Sequence, residues 1–408
     1  MKTATELDRE DALAALRQAH DLPEGQCYLD GNSLGVLSHA VKDALRRVVD
    51  TEWGQSLVSG WNTHEWIDMP VRVGDRLGSI LGASPGETLC CDSLSINLFK
   101  GLAAALELKA PRTKIVTEAS HFPTDNYIAE GLARLLGPER CEVIAVPLDE
   151  LPHTDLSDVA IISLAHVDFR TGACRDMAGI TALAHDAGAL VMWDLAHSAG
   201  VIETALNAHD VDMAVGCTYK FLNSGPGAPG FLYVAERHQE VSSPLPGWMG
   251  HADLFAFESS YRPAKGIRRF LAGTHSVISM AAVEAALSIF DRVSVASLRE
   301  KSLALSDYFL ACLADHPITA TLDCLTPLDH AARGSQISLS MPMGYPVSQA
   351  LIARGVIVDF REPDIVRFGF SPLYNSFSEV HVAAQKLADI LESGCYREDQ
   401  YQHRNKVT

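Results

Sequence analysis

Val211 to Gly227 reads VDMAVGCTYKFLNSGPG. An apolar run ends in Thr218-Tyr219-Lys220, and a Gly/Pro loop follows at once. Lys220 is the only cation of the stretch. A lysine at the end of a strand, with a tyrosine beside it, is an odd choice for a solvated charge. It suits a lysine held in a dry pocket, where loss of water frees the amine as a nucleophile. Upstream, Ala189 to His197 reads ALVMWDLAH, another apolar run that ends in an acid, Asp194, with His197 three residues later. Alone, either charge is more often an ordinary strand-end residue in a loop. Together, a buried acid and a buried lysine at the strand ends of an α/β pattern describe a pyridoxal phosphate (PLP) site. The lysine holds the aldehyde as a Schiff base and the acid keeps the pyridine nitrogen protonated.

The alternation around this stretch sets the fold class. Helix 71–82 is followed by strand 87–91 and a helix from Ser93 or Ser95, then strand 114–117, helix 124–136, strands 141–146 and 159–164, helix 177–187, and strands 189–194, 211–217 and 230–234. Strands alternating with helices predict an α/β domain with a mostly parallel sheet covered on both faces. Ligands of such sheets bind at the carboxyl ends of the strands, where Asp194 and Lys220 both lie. The helix opening in DSLSINLFKGLAAALE offers the hydroxyls of Ser93 and Ser95 and the free amides of its first turn to an anion. It has no Gly-rich phosphate loop, so it is not a nucleotide signature, and a serine there is usually only a cap. HFPTDNY, His121 to Tyr127, places Phe122 where it can stack on an aromatic ring. The commoner outcome is a hydrophobic staple with Thr124 or Asp125 as the cap.

At the N-terminal side, residues 5–20 predict an amphipathic helix. YLDGNSLG, Tyr28 to Gly35, implies a shaped loop with backbone and hydroxyl donors facing inward, or simply a turn before the helix that Ser38 caps. Trp53, Trp61, His64 and Trp66 then cover a core or a subunit contact, with an aromatic wall for a flat ligand as the minority reading. Beyond residue 274 the character changes. A helical region from Ser276 to about Asp315, interrupted near 291–294, precedes a strand at 337–341. A hairpin, GVIVDFREPDIVRFGFSPLYN, turns at Glu362-Pro363-Asp364, and a helix runs over 377–392. The expected division is an N-terminal segment 1–70 packing with the small domain, a PLP-binding large domain 71–275, and a smaller α+β domain 276–408. Arg367 is the exception in an apolar strand and needs an anionic partner or a route to water. It is either an edge-strand arginine reaching solvent or a bidentate clamp on a substrate carboxylate. The tail, CYREDQYQHRNKVT, reads as loose and charged.

At 408 residues the chain exceeds the size at which one core stops growing, so two domains are expected. A net charge of −18 argues against nucleic acid or an anionic membrane as the main partner. The nine cysteines include no CxxC pair and no zinc-like spacing, so no metal site is expected, and an odd, scattered count suits a reducing compartment. The acidic N-terminus lacks the apolar core of a signal peptide, and no run approaches the ~18 apolar residues of a membrane span. A soluble, cytoplasmic protein is expected.

YLDGNSLG, HFPTDNY, DLAHSAG, YKFLNSGPGAPGF, PLPGWMGH and VRFGFSPLYN occur in one order and spacing. Jointly, from Tyr28 to Asn375, they resemble the kynureninase family, fold-type I PLP enzymes of the aspartate aminotransferase superfamily, and look closer to its bacterial members. The resemblance implies that Lys220 is the Schiff-base lysine, Asp194 the partner of the pyridinium nitrogen and Phe122 the stacking ring. It implies Leu94 and Ser95 at the phosphate, and Asp125, His197, Tyr219, Trp248 and Thr274 lining the cofactor. Arg367 looks like the carboxylate-binding arginine, and Ser33 and His64 like substrate-pocket residues. A homodimer with sites at the subunit interface is implied, with Trp248 and Thr274 serving the partner's site. The implied activity is hydrolysis of L-kynurenine, and of 3-hydroxykynurenine, to anthranilate or 3-hydroxyanthranilate and L-alanine, in tryptophan degradation and NAD biosynthesis. Tyr219 either transfers a proton or binds the phosphate. One position departs from the pattern: Ala165 stands where a Ser or Thr is expected near the cofactor. Two rivals share the fold, an aminotransferase and a cysteine desulfurase. The latter would usually carry His where Tyr219 stands and would need a mobile-loop cysteine, for which Cys324 is the only candidate. A non-catalytic PLP-fold binding protein would lack core residues that are present here.

Overall fold

The apolar runs around Lys220 assemble into one seven-stranded sheet in the computed structural model, which describes residues 2–404. In chain order, after a two-residue strand β1 (Cys27–Tyr28) that belongs elsewhere, come β2 (Thr88–Cys90), β3 (Lys114–Glu118), β4 (Glu142–Val146), β5 (Val159–Ala165), β6 (Leu190–Asp194), β7 (Met213–Gly216) and β8 (Phe231–Val234). They lie in the order β2-β8-β7-β6-β5-β3-β4. β8 runs antiparallel to both its neighbours, and the other adjacent pairs are parallel. Every residue of β5 and β6 is buried, as a strand covered on both faces requires.

The helices before and between these strands are α1 (Ala4–Glu10), α2 (His39–Arg47), α3 (Gly60–Thr63), α4 (Met69–Leu81), α5 (Leu94–Leu108), α6 (Pro123–Leu136) and α7 (Met177–Asp186), and α8 (Val277–Ala286) follows the last strand. The two-residue period of β6 sends Val191 and Trp193 to one face and Leu190 and Met192 to the other. On the first face they meet Val73 and Leu77 of α4 and Met280 and Val283 of α8. On the second they meet Leu98 and Leu102 of α5 and Leu132 of α6. α8 follows the expected boundary at 275/276, yet its apolar side chains sit in the core of the large sheet.

The remainder of the chain builds a second core. α9 (Val295–Ala314), α10 (Gly344–Ala353) and α11 (Phe377–Ser393) pack with β9 (Asp323–Cys324), β10 (Gln336–Ser340), β12 (Asp359–Arg361) and β13 (Ile365–Gly369), an antiparallel sheet in the order β12-β13-β10-β9. β11 (Val356–Ile357) pairs in parallel with β1, so Leu29 joins Phe309, Ile337, Phe368 and Leu387 in this core.

Three expectations change. The helix over 5–20 stops at Glu10, and 14–19 form a tighter 3-10 turn. The helix capped by Ser38, expected over SHAVKDALRRVVDTEW to Trp53, ends at Arg47 and loosens into a wide π turn through Trp53. The first part of the tail is packed: Tyr396 is buried and Tyr345 donates to the His403 carbonyl at 3.0 Å. Residues 405–408 of that tail lie outside the described residues. No helix among the described residues is long and apolar enough to cross a membrane.

Candidate active site

The parallel neighbours β5, β6 and β7 end side by side. Register sets Ala165 beside Asp194 and Asp194 beside Val215, four residues before Tyr219. The loop after β7 then carries Tyr219 and Lys220 over the strand ends. A cavity of about 160 Å³ forms there, lined by Lys220, Tyr219, Asp194, His197, His121 and Phe122. Lys220 Nζ stands 3.0 Å from His197 Nε2. Burial, reinforced by the Lys220 charge, holds His197 well below the usual imidazole range, so the ring beside the lysine is neutral. Asp194 is 7% exposed, and its Oδ1 accepts the Ala196 N–H at 2.8 Å. Burial raises its carboxyl and Lys220 pulls it back.

Five side-chain atoms at this cavity lack a hydrogen-bond partner among the described residues: both carboxylate oxygens of Asp125, both ring nitrogens of His121 and Nδ1 of His197. Burial, then the Asp194 charge, pushes Asp125 well above the carboxylate range, and burial lowers His121 to about 4. Each unsatisfied buried group costs about 1–3 kcal/mol, so such a set persists where a polar ligand completes it. A flat, charged pyridine ring suits it: an acid for the ring nitrogen, a lysine for the aldehyde, and Phe122, 42% exposed, as an open aromatic face. The residues present therefore fit PLP.

Phe122 itself occupies the N-cap position of α6, with Pro123 first in the helix. Neither Thr124 nor Asp125 caps it, which corrects that alternative; Asp125 is released to point inward, 3.6 Å from His121. Ser93 does cap α5, accepting from Ile96 N–H at 3.4 Å. Leu94, Ser95 and Tyr219 line both the ring cavity and a neighbouring hollow of about 500 Å³ that includes Thr274. The first turn of α5 thus faces a space beside the ring, as an anion site requires.

Trp248 and His64 are not brought to this cavity within one chain. Trp248 is exposed, its Nε1 donating to the Leu254 carbonyl and its ring meeting Phe255 edge-on. His64 Nε2 lies 2.9 Å from Ser56 Oγ, beside Trp66, in a cluster that includes Trp61 and His275. Trp66 is buried in the core of the large sheet, the commoner of the two outcomes expected for these tryptophans.

Arg367 lies on β13, an inner strand of its sheet, which removes the edge-strand reading. It is 1% exposed. Nε donates to Asp359 Oδ1 at 2.6 Å, Nη2 to Asp359 Oδ2 and to Ser33 Oγ at 3.2 Å, and Nη1 to the Phe169 carbonyl at 2.5 Å. Four of its five N–H bonds are thus engaged. Ser33 donates in turn to Asp359 Oδ2 at 2.5 Å. Phe169 links this group to the ring cavity, which it lines, its ring edge-on to Phe122 at 5.1 Å. The Tyr28–Gly35 loop is the inward-facing one expected. Gly35 N–H donates to the Tyr219 carbonyl at 2.7 Å, and a Cβ there would lie 2.3 Å from the Lys220 carbonyl, so only glycine fits.

Sequence reasoning missed Asp359, Phe169 and the unpartnered state of His121. The Ala165 methyl lines the ring cavity and supplies no hydroxyl. Thr171 is not its substitute, because its Oγ1 donates to Asp168 at 2.8 Å and faces a different hollow. Cys324 lies on the edge strand β9, apart from Lys220.

Residues 298–387 match the family profile described as the kynureninase C-terminal domain. A kynureninase of Pseudomonas fluorescens is 47% identical over 407 residues, 98% of each chain. One of Burkholderia pseudomallei is 46% identical over 417 residues, with both chains wholly covered. Among solved structures, a variant of C-DES with glycine covalently linked to the PLP cofactor superposes with a TM-score of 0.78 at 17% identity, covering 90% of this chain and 97% of the other.

Proposed function

The chain belongs to the kynureninase family, and from that premise we propose how its residues divide the reaction. It hydrolyses the Cβ–Cγ bond of L-kynurenine, giving anthranilate and L-alanine, with pyridoxal phosphate as cofactor. The cofactor supplies the electron sink that makes the substrate's Cα–H acidic and its Cβ–Cγ bond breakable.

In our reading Lys220 Nζ would be the amine that holds the cofactor and, when free, the base that takes the proton from the substrate's Cα. His197, neutral and 3.0 Å away, keeps the lysine aimed. Asp194 holds the proton on the pyridine nitrogen. Asp125 and His121 would supply polar groups to a bound ring, and Phe122 would offer it an aromatic surface. Leu94 and Ser95 present first-turn amides of α5 to the phosphate. Tyr219 stands between the ring cavity and the phosphate-side hollow. The adjacent Cys217, burial and the Asp194 charge all raise it, so its hydroxyl keeps its proton and can donate. We assign it the proton delivered to Cβ, with phosphate binding as its second role. Arg367, steadied by Asp359 and Ser33, holds the α-carboxylate with the N–H that remains.

We extend the reading to 3-hydroxykynurenine as a second substrate, to a cytoplasmic enzyme of tryptophan degradation that also feeds NAD biosynthesis, and to a homodimer. In the dimer, Trp248, Thr274 and His64 would complete the partner's site. The absence of Trp248 and His64 from the Lys220 cavity within one chain, and the open aromatic surface at Trp248, support this; Thr274 lines the adjoining hollow, where it can serve either chain. The observation that carries the functional reading is the half-buried Lys220–His197 contact beside the buried Asp194 and an Asp125 carboxylate that accepts no hydrogen bond among the described residues. The test is purified protein with PLP and L-kynurenine, following anthranilate fluorescence and assaying alanine. Equimolar products are expected. A keto acid, or sulfide released from cysteine, with no anthranilate would overturn it in favour of an aminotransferase or a desulfurase.

A further inference from the structure

Two carboxyls and two guanidinium groups meet where Arg367 waits for a substrate. Asp359 takes Arg367 through both oxygens and also forms an ion pair with Arg361 Nη2 at 2.8 Å. The second carboxyl is Asp30, on the loop whose Gly35 is strapped to Tyr219. Asp30 bridges in parallel to Gly369, two residues beyond Arg367 on the same strand, and two residues along a strand return to the same face. Its Oδ1 is buried and has no hydrogen-bond partner among the described residues. The charged and titratable groups around it are Asp359, Arg361 and Arg367 from the hairpin, Tyr28 from its own loop and Tyr374 from the turn after β13, with the Ser33 hydroxyl between the carboxyls.

We propose that Asp30 is a specificity-determining residue of the carboxylate clamp: it is protonated when Arg367 and Arg361 hold a substrate carboxylate, and losing that proton weakens the hold. With Asp30 neutral, two guanidinium charges face one carboxylate, and a substrate carboxylate balances the group. With Asp30 ionised the group is already balanced, and an incoming carboxylate meets a second like charge in a poorly solvated place. Burial, then the Asp359 charge, raises Asp30 to about 7, while Ser33 and the arginines pull the other way. The switch therefore falls at neutral pH: acid carries the proton and favours binding, alkali removes it. Linkage requires the reverse effect too, so binding a carboxylate near neutrality draws a proton onto the protein.

This rests on the reading of Arg367 as the clamp, and the test separates the two. The probe is 4-(2-aminophenyl)-4-oxobutanoate, kynurenine without its α-amine, which keeps the carboxylate and the aryl group and lacks the aliphatic amine that would exchange with the lysine. Its affinity for the PLP-loaded enzyme is measured by calorimetry in buffers of different ionisation enthalpy. Wild-type affinity should fall on the order of fivefold from about pH 6 to about pH 8.5, with net proton uptake on binding near neutrality. Asp30→Asn fixes the neutral form in nearly the same shape. It should bind as tightly at the alkaline end as at the acid end, without that uptake. Arg367→Ala should lose most of the affinity at every pH. If Arg367→Ala weakens binding but wild type and Asp30→Asn share one pH profile, the Asp30 inference is overturned and the clamp stands. If Arg367→Ala binds as wild type does, the clamp reading falls and the inference with it.

Discussion

Lys220 ends an apolar run, and its amine meets a neutral imidazole rather than water. Replacing it with alanine removes the amine and leaves the cavity walls in place. Lys220→Ala should therefore bind PLP without the visible absorbance of a lysine-linked cofactor, and should lose activity by several orders of magnitude. An unaltered absorbance band would place the linkage at another residue. Arg367 behaves differently because it has a partner inside the chain. Arg367→Ala should raise KM for kynurenine on the order of 100-fold with a smaller change in kcat, since a clamp binds ground and transition states alike. The same change leaves the Asp359 carboxylate with only Arg361 and the Ser33 hydroxyl, so stability should also fall, by about 1–3 kcal/mol. An unchanged KM would place Arg367 outside the substrate pocket. Lys220 and Asp194 were legible because a charge that closes an apolar strand is conspicuous. Asp359 was legible in principle and overlooked. The hairpin turns about Pro363, and that geometry alone sets residue 359 opposite 367. Asp125 could be seen as an acid at a helix entrance. That it caps nothing depends on Phe122 and Pro123 taking the first positions, which chain order does not decide.

Helix starts followed their caps where local chemistry was free to act. Ser38 and Ser93 accept from the third residue beyond, as expected. The helix over 5–20 failed because a distant partner outbids local propensity: Asp11 pairs with Lys301 at 2.8 Å and takes the Leu13 N–H at 2.8 Å, turning the chain aside. A comparable knot ties the entry of β7 to its neighbours. Asp212 accepts from His238 at 2.7 Å, His185 at 2.8 Å, Arg237 at 2.8 Å and the Val191 N–H of β6 at 2.9 Å. Burial alone would raise its carboxyl, but His238 and the other donors bring it down to about 2. A depressed carboxyl adds stability above its unfolded value and loses it as pH falls through the folded one. Asp212→Asn should be less stable than wild type by about 2 kcal/mol above pH ~4, and the gap should close toward pH ~2. A difference that persists at the acid end would point to packing rather than charge. Urea unfolding across that range makes the measurement.

Taken whole, the chain presents a covered sheet, a smaller sheet beside it, and aromatic side chains, Trp248, Phe255 and Phe257, left in the open. If those belong to a neighbour's site, two crippled enzymes can repair each other. Mixing Lys220→Ala with Trp248→Ala under conditions that exchange subunits should restore kynurenine hydrolysis that neither shows alone. Failure to recover activity despite demonstrated exchange would confine each site to one chain. The fold class was readable from the alternation of apolar periods. The strand order was not, because parallel crossovers can pass to either side of an existing strand, and only packing of α4, α5 and α8 on the two faces decides. Least readable of all was the pairing of Cys27 with Val356, two residues at opposite ends of the chain.

That pairing imposes a timetable on manufacture. A ribosome delivers β2 through β8 in one uninterrupted stretch, and domains generally fold as they emerge. The strand made first, β1, has no lateral partner until β11 arrives near the end of translation. Asp359 and Arg367 come later still. The newborn polypeptide can therefore bring Lys220, Asp194 and His197 together before Asp359 and Arg367 have been made.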